Sequence, residues 1–269
     1  MDEHNWLLVI AGGQGTRLFP LSHEDRPKQF CMANEERTFI EETVARFANF
    51  VAIEHVIVLV TSQMQVDLAY ECLKSHGVLK HNIIIASSNY GYAGCMVYGA
   101  SLIMKHDRKA IVINTPADQM IRDEKLFDKA MAEAIALAKA DQAVAIGVDV
   151  TDICVAKGLG HMITEATDGI HEIVKFVEKP QTDAEAQKII EDPQTAGNTG
   201  INVWPAALIA GTLVVYENGL ATDTLMNALI ALKKLKAVFG KFEWHSLNSP
   251  PRGRLRFRSH ATQISQKLL

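Results

Sequence analysis

Ile10-Ala11-Gly12-Gly13-Gln14-Gly15-Thr16-Arg17-Leu18, completed downstream by Pro27-Lys28-Gln29-Phe30, is the stretch that decides how this chain is read. The apolar run Leu7 to Ala11 has the character of a short buried strand, and three glycines fall within the next four positions. Such a corner can bend sharply and bring backbone close to a ligand. Successive free N–H groups in a turn of this kind form a concavity that attracts anions. Arg17 adds a planar fork suited to phosphate, and Lys28 a mobile point charge. Strand, glycine turn, Arg and Lys together describe a cradle for a triphosphate. A dinucleotide fingerprint starting at Gly13 requires glycine at position 18, where Leu18 stands, so a dehydrogenase reading fails. A kinase-type P-loop requires Gly-Lys-Ser/Thr, and this loop ends Gly15-Thr16-Arg17.

Working outward, β-branched apolar runs at 7–11, 55–60, 82–86, 110–114 and 143–148 alternate with helical patterns near 37–48, 63–75, 94–105 and 123–139. Alternation of this kind predicts an α/β fold: a Rossmann-like, mostly parallel sheet with helices on both faces. In such sheets ligands sit at the carboxyl ends of the strands. The loops after residues 11 and 114 both lie there. Farther on, 170–180 reads as a strand ending at Pro180, 182–191 as a helix capped by Thr182, and 199–204 as a strand. The stretches 205–216 and 222–236 read as helices.

The 269 residues, 48% hydrophobic and 22% charged, are enough for one large core. No run of eighteen apolar residues occurs, and Met1-Asp2-Glu3-His4-Asn5 is not the basic start of a secretory signal, so no membrane partner is expected. Cys31, Cys72, Cys95 and Cys154 are scattered, which predicts reduced, buried thiols and a cytoplasmic protein. The net charge of −4 gives no sign of nucleic acid as a partner. Arg252, Arg254, Arg256, Arg258 and Lys267 account for five of the 27 basic residues, while all 31 acidic ones precede Ser246. An acidic body needs local cations to hold a nucleotide, and Arg17 and Lys28 are placed to supply them.

Gly12-Gly13-Gln14-Gly15-Thr16-Arg17-Leu18-Phe19-Pro20-Leu21-Ser22 followed by Arg26-Pro27-Lys28-Gln29-Phe30 resembles the signature of the sugar-1-phosphate nucleotidylyltransferases. The Pro-Lys-Gln-Phe element is similar to that of the mannose-1-phosphate guanylyltransferases. The resemblance implies a nucleotide sugar made from a nucleoside triphosphate and a sugar 1-phosphate, with GTP and mannose 1-phosphate as first expectation. Magnesium is the implied cofactor and homodimerisation is left open. A related transferase with another nucleotide and sugar pair, or a catalytically impaired paralogue or regulatory subunit that only binds nucleotide sugar, is the alternative.

Several residues carry the implied roles. The nucleotide side takes Ala11, Gly12, Gly13, Gly15, Thr16 and Arg17. Ser88-Asn89-Tyr90-Gly91-Tyr92-Ala93-Gly94-Cys95-Met96 stands in the place of the family's base-reading loop, through Asn89 and Gly91, although its sequence departs strongly. Asn114-Thr115-Pro116-Ala117-Asp118-Gln119 follows a strand. An acid there can hold a hard divalent cation or cap a following helix near Arg122. The resemblance assigns Asp118 to the metal, with Gln119 replacing the usual His, and makes Arg17, Lys28 and Asp118 the catalytic set. Phe176-Val177-Glu178-Lys179-Pro180 and Asn198-Thr199-Gly200 resemble the sugar-phosphate segments, giving Glu178, Lys179 and Asn198. By themselves they would read as a charge pair before a turn and as a turn. Gly160 comes from Lys157-Gly158-Leu159-Gly160-His161-Met162, a partial match to the sugar loop in which His161 replaces a Tyr.

One segment departs more seriously. Phe242-Glu243-Trp244-His245-Ser246 begins like the family's Trp-x-Asp-x-Gly element, yet Ser246 stands where a second acidic metal ligand belongs. A neutral hydroxyl is a poor substitute for charge toward a hard cation. Glu243 and Asp223 are the acids that could replace it. The expected organisation is a nucleotidylyltransferase domain over 1–245, with a nucleotide-binding half (1–150) and a sugar-phosphate half (151–245). The basic run 246–269 is expected to be an atypical, replaced terminus.

Overall fold

The computed structural model describes residues 2–13, 21–165, 170–210, 222–240 and 242–246. Gly15, Thr16, Arg17 and the basic run after Ser246 lie outside the described residues. Eleven strands occur among those described: β1 (Asn5–Ile10), β2 (Val56–Val60), β3 (Ile83–Ile85), β4 (Ile111–Pro116), β5 (Gln119–Ile121), β6 (Ala143–Val148), β7 (His161–Thr164), β8 (Ile170–Val177), β9 (Thr195–Pro205), β10 (Leu235–Phe239) and β11 (Trp244–Ser246).

Nine of them form one sheet in the order β3-β2-β1-β4-β9-β6-β10-β8-β7. The apolar runs make parallel neighbours: β1 pairs in parallel with β2 and β4, β2 with β3, and β6 with β10. Strand β9 runs antiparallel to both β4 and β6, and β8 antiparallel to both β10 and β7. The sheet is therefore mixed, with β8 and β9 reversed against seven strands that share one direction. Strand β9 comes from the second half of the chain but lies between two strands of the first. Both halves thus share one sheet. β5 and β11 form a separate antiparallel ribbon.

The strand residues alternate between two apolar layers, as period-two geometry requires. Leu7 and Val9 of β1 join one layer with Ile40, Val44 and Val66, which come from the helices α1 (Phe39–Arg46) and α2 (Gln63–Leu73). Trp6 and Leu8 enter the opposite layer with Ala93, Met96 and Ala100 of α3 (Gly91–Ile103). Helix α4 (Glu124–Lys139) covers the first face. After the short α5 (Ile153–Ala156) and α6 (Asp183–Glu191), helices α7 (Ala206–Ala210) and α8 (Thr222–Ala231) cover the second. Helices on both faces agree with the expected α/β architecture.

Local differences have local causes. The stretch read as a helix to 236 ends after Ala231, because Lys233 takes φ 53° and turns the chain into β10. No Gly or Pro marks that turn in the sequence. The expectation of buried thiols holds for Cys31 and Cys95, while Cys154 is exposed and Cys72 half-buried. Asp123, not Asp118, precedes α4, and it makes no side-chain cap. Among the described residues no helix is long and apolar enough to cross a membrane.

Phe127 of α4 stands edge-on to Phe47 and to Phe242, with ring centroids 5.5 and 5.4 Å apart. Phe242 leads directly into β11, so this aromatic chain ties the ribbon to the core. Replacing Phe127 by Ala should lower the unfolding free energy by about 3–5 kcal/mol. Phe127→Leu, which leaves a smaller void, should cost much less. Urea unfolding monitored by circular dichroism checks both, the midpoint moving and the slope staying constant.

Candidate active site

A cleft of about 470 Å³ opens where the parallel strands end. The residues immediately after β1, β2, β3 and β4 all line it: Ala11 to Gly13, Thr61, Ser87 with Ser88, and Ala117 with Asp118. On the other side stand Gly160, Glu178, Lys179 and Asn198. Ten sequence-predicted site residues are thus brought together: Ala11, Gly12, Gly13, Lys28, Gly91 and Asp118 on one side, these four on the other. Asn89 is not part of the lining; it is exposed on the turn before α3. Gly15, Thr16 and Arg17 lie outside the described residues.

The glycine corner is pinned through its carbonyls. The Gln29 side-chain amide donates to Ala11 O at 2.6 Å and Gly13 O at 3.0 Å, and Thr61 Oγ1 donates to Gly12 O at 2.9 Å. Gln65 Nε2 adds a longer bond to Gly13 O at 3.4 Å. In a planar trans peptide the N–H points opposite to the C=O. Fixing these carbonyls therefore directs the Gly12 and Gly13 amides away from Gln29 and Thr61. Each residue of Pro27-Lys28-Gln29-Phe30 has a separate task. Pro27 enters a single 3₁₀ turn with φ −56°, Lys28 reaches Asp118, Gln29 holds the glycine corner, and Phe30 is buried in the core.

Lys28 Nζ forms an ion pair with Asp118 Oδ2, and both residues are about nine-tenths buried, at 9% and 8% exposure. Two opposite charges in so dry a place hold each other firmly. At the rim, Lys179 Nζ lies 3.5 Å from Glu178 Oε1, both half exposed. Cys95 also lines the cleft, but burial pushes its thiol up to about 11, so it stays protonated and unreactive at neutral pH.

In the cleft wall itself is a polar cluster that motif reading missed. Gly200 has φ 80°, a left-handed conformation natural to glycine. Its carbonyl accepts hydrogen bonds from the Tyr92 hydroxyl at 2.7 Å and from the side-chain amides of Asn114 and Asn202 at 3.0 Å each. Asn198 Oδ1 accepts the Gly200 N–H at 3.0 Å, and Gln119 Nε2 donates to Thr199 O. Burial pushes the Tyr92 phenol well above its ordinary pKa, which keeps it a donor. A signal was present: Asn114 and Asn202 are amides that each follow an apolar residue within buried strands, and they face each other in the β4–β9 register.

His161, which replaces a family Tyr, does not line the cleft. It is fully buried, with Nε2–H donating to Ala156 O at 2.8 Å. Where the resemblance places a second acidic metal ligand, β11 runs beside β5 and Ser246 pairs with Gln119, the neighbour of Asp118. Glu243 does not line the cleft. Its carboxylate meets His245 Nε2 at 2.7 Å and Arg122 at 3.6 Å, and the His245 contact holds it below the usual range. Asp223 sits in the first turn of α8, accepting the Thr224 N–H at 2.8 Å. Among the described residues no cluster of three or more His, Cys, Asp or Glu could hold a metal.

A family model described as nucleotidyl transferase matches residues 7–245. The chain belongs to the nucleotidyl transferase family. Similar relatives include the xanthan biosynthesis protein XanB of Xanthomonas campestris pv. campestris, 28% identical over 214 residues, covering 80% of this chain and 45% of that protein. The mannose-1-phosphate guanylyltransferase of Escherichia coli K12 is 30% identical over 218 residues, covering 78% of this chain and 45% of that protein. The match thus spans less than half the length of these relatives. A solved structure titled mannose-1-phosphate geranyltransferase, from Thermus thermophilus, superposes with a TM-score of 0.73 at 24% identity. It covers 91% of this chain and 76% of that one. At that identity the superposition supports the fold.

Two predictions follow from the site's packing. A Cβ on Gly12 would meet Thr61 Cγ2 at 2.6 Å, whereas one on Gly13 would meet nothing within 4 Å. Gly12→Ala forces Thr61 off the Gly12 carbonyl and should cost about 1–3 kcal/mol. Gly13→Ala should leave the melting temperature unchanged, and differential scanning calorimetry compares the pair. Burial also holds the His161 imidazole below its ordinary pKa. Above about pH 6.5 the ring is neutral in both folded and unfolded chains. Below that the unfolded chain takes the proton first, so stability falls with pH toward the folded-state value. In urea unfolding, the stability lead of wild type over His161→Gln should therefore shrink as pH drops from about 7 to about 5.

Proposed function

We propose that this chain transfers a nucleotidyl group from a nucleoside triphosphate to a sugar 1-phosphate, releasing pyrophosphate. GTP and mannose 1-phosphate, giving GDP-mannose, are the preferred pair. The convergence of the glycine corner, Lys28, Asp118, Glu178, Lys179 and Asn198 on one cleft carries this reading. Family membership and the similarity to a mannose-1-phosphate guanylyltransferase support it.

The attacking group is an ionised phosphate oxygen, so no protein base is needed. Catalysis then consists of aligning two phosphates and neutralising charge. In our reading Gly12 and Gly13 present amides to the triphosphate, with Gly15, Thr16 and Arg17 completing the cradle. Ser87, Ser88 and Gly91 stand on the base side of the cleft, with Asn89 on the exposed turn beside them. Glu178 and Asn198 orient sugar hydroxyls from the far wall, Gly160 lines that wall where the Phe176 ring leaves no space for a Cβ, and Lys179 contacts the sugar's phosphate. Tyr92, Asn114 and Asn202 act on the same wall indirectly, by fixing Gly200 beside Asn198.

A divalent cation, magnesium in this reading, supplies charge neutralisation across the phosphates when bound. Magnesium is commonly held by one or two carboxylates together with substrate phosphates. The single carboxylate of Asp118, buried on the cleft wall, fits that donor pattern. Ser246 in the position of the family's second acid favours one rival reading: binding of a nucleotide sugar without turnover.

A panel of nucleoside triphosphates against sugar 1-phosphates with magnesium, read by pyrophosphate release, tests the proposal. Turnover is expected, greatest for the GTP and mannose 1-phosphate pair. Arg17→Ala should lower kcat by about a thousandfold or more with the melting temperature retained. Calorimetric binding of nucleotide without release from any pair would establish the rival reading.

A further inference from the structure

The cation that would meet the phosphates has to reach Asp118, and Asp118 already has a partner. Lys28 Nζ sits directly on Asp118 Oδ2, and both side chains are 11% exposed. The backbone of Lys28 is held in place, so only its side chain can move off Asp118. It belongs to a single 3₁₀ turn whose next two residues are buried, Gln29 bonded to the glycine corner and Phe30 packed in the core. Asp118 is equally constrained. It lies between β4 and β5, the latter paired with β11 and tied at Gln119 O by the Arg46 guanidinium at 2.9 Å. Among the described residues no further acid stands by: Glu178, the other carboxylate in the cleft wall, is paired with Lys179.

An ammonium already seated on one carboxylate oxygen weakens that carboxylate's hold on a divalent cation. The two cations repel, and burial strengthens that repulsion. We propose that Lys28 guards Asp118, so that a bare divalent cation is excluded until an anion takes the ammonium. A polyphosphate provides such an anion, since it offers Lys28 a replacement for the carboxylate. Cation and polyphosphate would then enter as a unit, with Asp118, freed of the ammonium, holding the cation. This inference rests on the assignment of Asp118 to the metal under the proposed function, but not on nucleotidyl transfer itself.

Binding of Mn²⁺ alone to the full chain, measured by electron paramagnetic resonance at neutral pH, tests the guard without nucleotide or sugar. Wild type should bind Mn²⁺ weakly, and Lys28→Met about tenfold or more tightly. Lys28→Met combined with Asp118→Asn should return to the weak value. Equal or weaker Mn²⁺ binding by a folded Lys28→Met protein would overturn the proposal, as would persistence of the gain in the double variant. Should Lys28→Met fail to fold, lysine-ammonium nuclear magnetic resonance on wild type decides instead. The Lys28 Nζ signal should be unmoved by millimolar Mg²⁺ and shift when inorganic tripolyphosphate is added with it. Displacement of that signal by Mg²⁺ alone sinks the guard. Failure of the transferase reading shows separately, as absence of pyrophosphate release while the Mn²⁺ result stands.

Discussion

The hydrogen bonds from the Gln29 side chain to the carbonyls of Ala11 and Gly13 are the constraint on which the glycine-corner side of the cleft depends. A glycine corner left to itself is an ensemble, because glycine loses more freedom on ordering than any other residue. Here one amide group, itself buried, clamps two carbonyls of the corner, and Thr61 takes the carbonyl between them. Each of these carbonyls would otherwise be an acceptor in need of a partner. The clamp is also a ruler. Because Gln29 is flanked by Lys28 and by the buried Phe30, fixing the corner fixes the ammonium relative to it, and so relative to Asp118 at the end of the neighbouring parallel strand.

The opposite wall is organised by a second point of convergence, the carbonyl of Gly200. Three donors from three elements meet there: Tyr92 from α3, Asn114 from β4 and Asn202 from β9. Buried polar groups are costly unless satisfied, and such networks hold one geometry when they are. The left-handed φ at Gly200 turns the chain so that Asn198, Thr199 and Gly200 all line the cleft within a continuous strand. Asn198 then closes the turn on itself through the Gly200 N–H, and Thr199 Oγ1 anchors it to Ile146 O at 2.9 Å. Helix, parallel strand and reversed strand thereby become one rigid wall.

The parts legible in sequence are those set by short-range rules. Val56-Ile57-Val58-Leu59-Val60 can hardly be other than a strand buried on both faces, and it is fully buried. Thr182 with Glu185 three residues on forms a capping box, so the start of α6 could be read from side chains alone. The glycine corner and Asp118 were legible for the same reason, each following an apolar run with a defined end, while Lys28 was read from the Pro27-Lys28-Gln29-Phe30 element. What escaped depends on distant partners. The strands β5, β7 and β11 have three or four residues each and exist because other strands pair with them. Strand β10 was hidden by Lys233, which adopts a left-handed turn without a glycine to announce it. The polar cluster at Gly200 joins residues over a hundred positions apart, and spacing along the chain says nothing of that distance.

Charge in the cleft completes the argument. Its lining holds two cations, Lys28 and Lys179, and two anions, Asp118 and Glu178, each cation already in contact with one anion. The described wall is therefore balanced, within a body that carries every one of the chain's 31 acidic residues before Ser246. Under the proposed function, a polyphosphate would gain little from such a wall as a field; it would gain by exchange, taking an ammonium from a carboxylate and leaving that carboxylate for something else. The rim pair is half exposed and screened by water, so its exchange is easy and contributes little energy. The buried pair is the opposite case. A carboxylate stripped of its ammonium in a dry site cannot stand alone, and the chemistry that best satisfies it is a cation arriving with the anion. A wall with one buried carboxylate is thus suited to a cation that brings its other oxygen ligands with it, which is how a site with Ser246 opposite Gln119 can still fit a metal-bound polyphosphate.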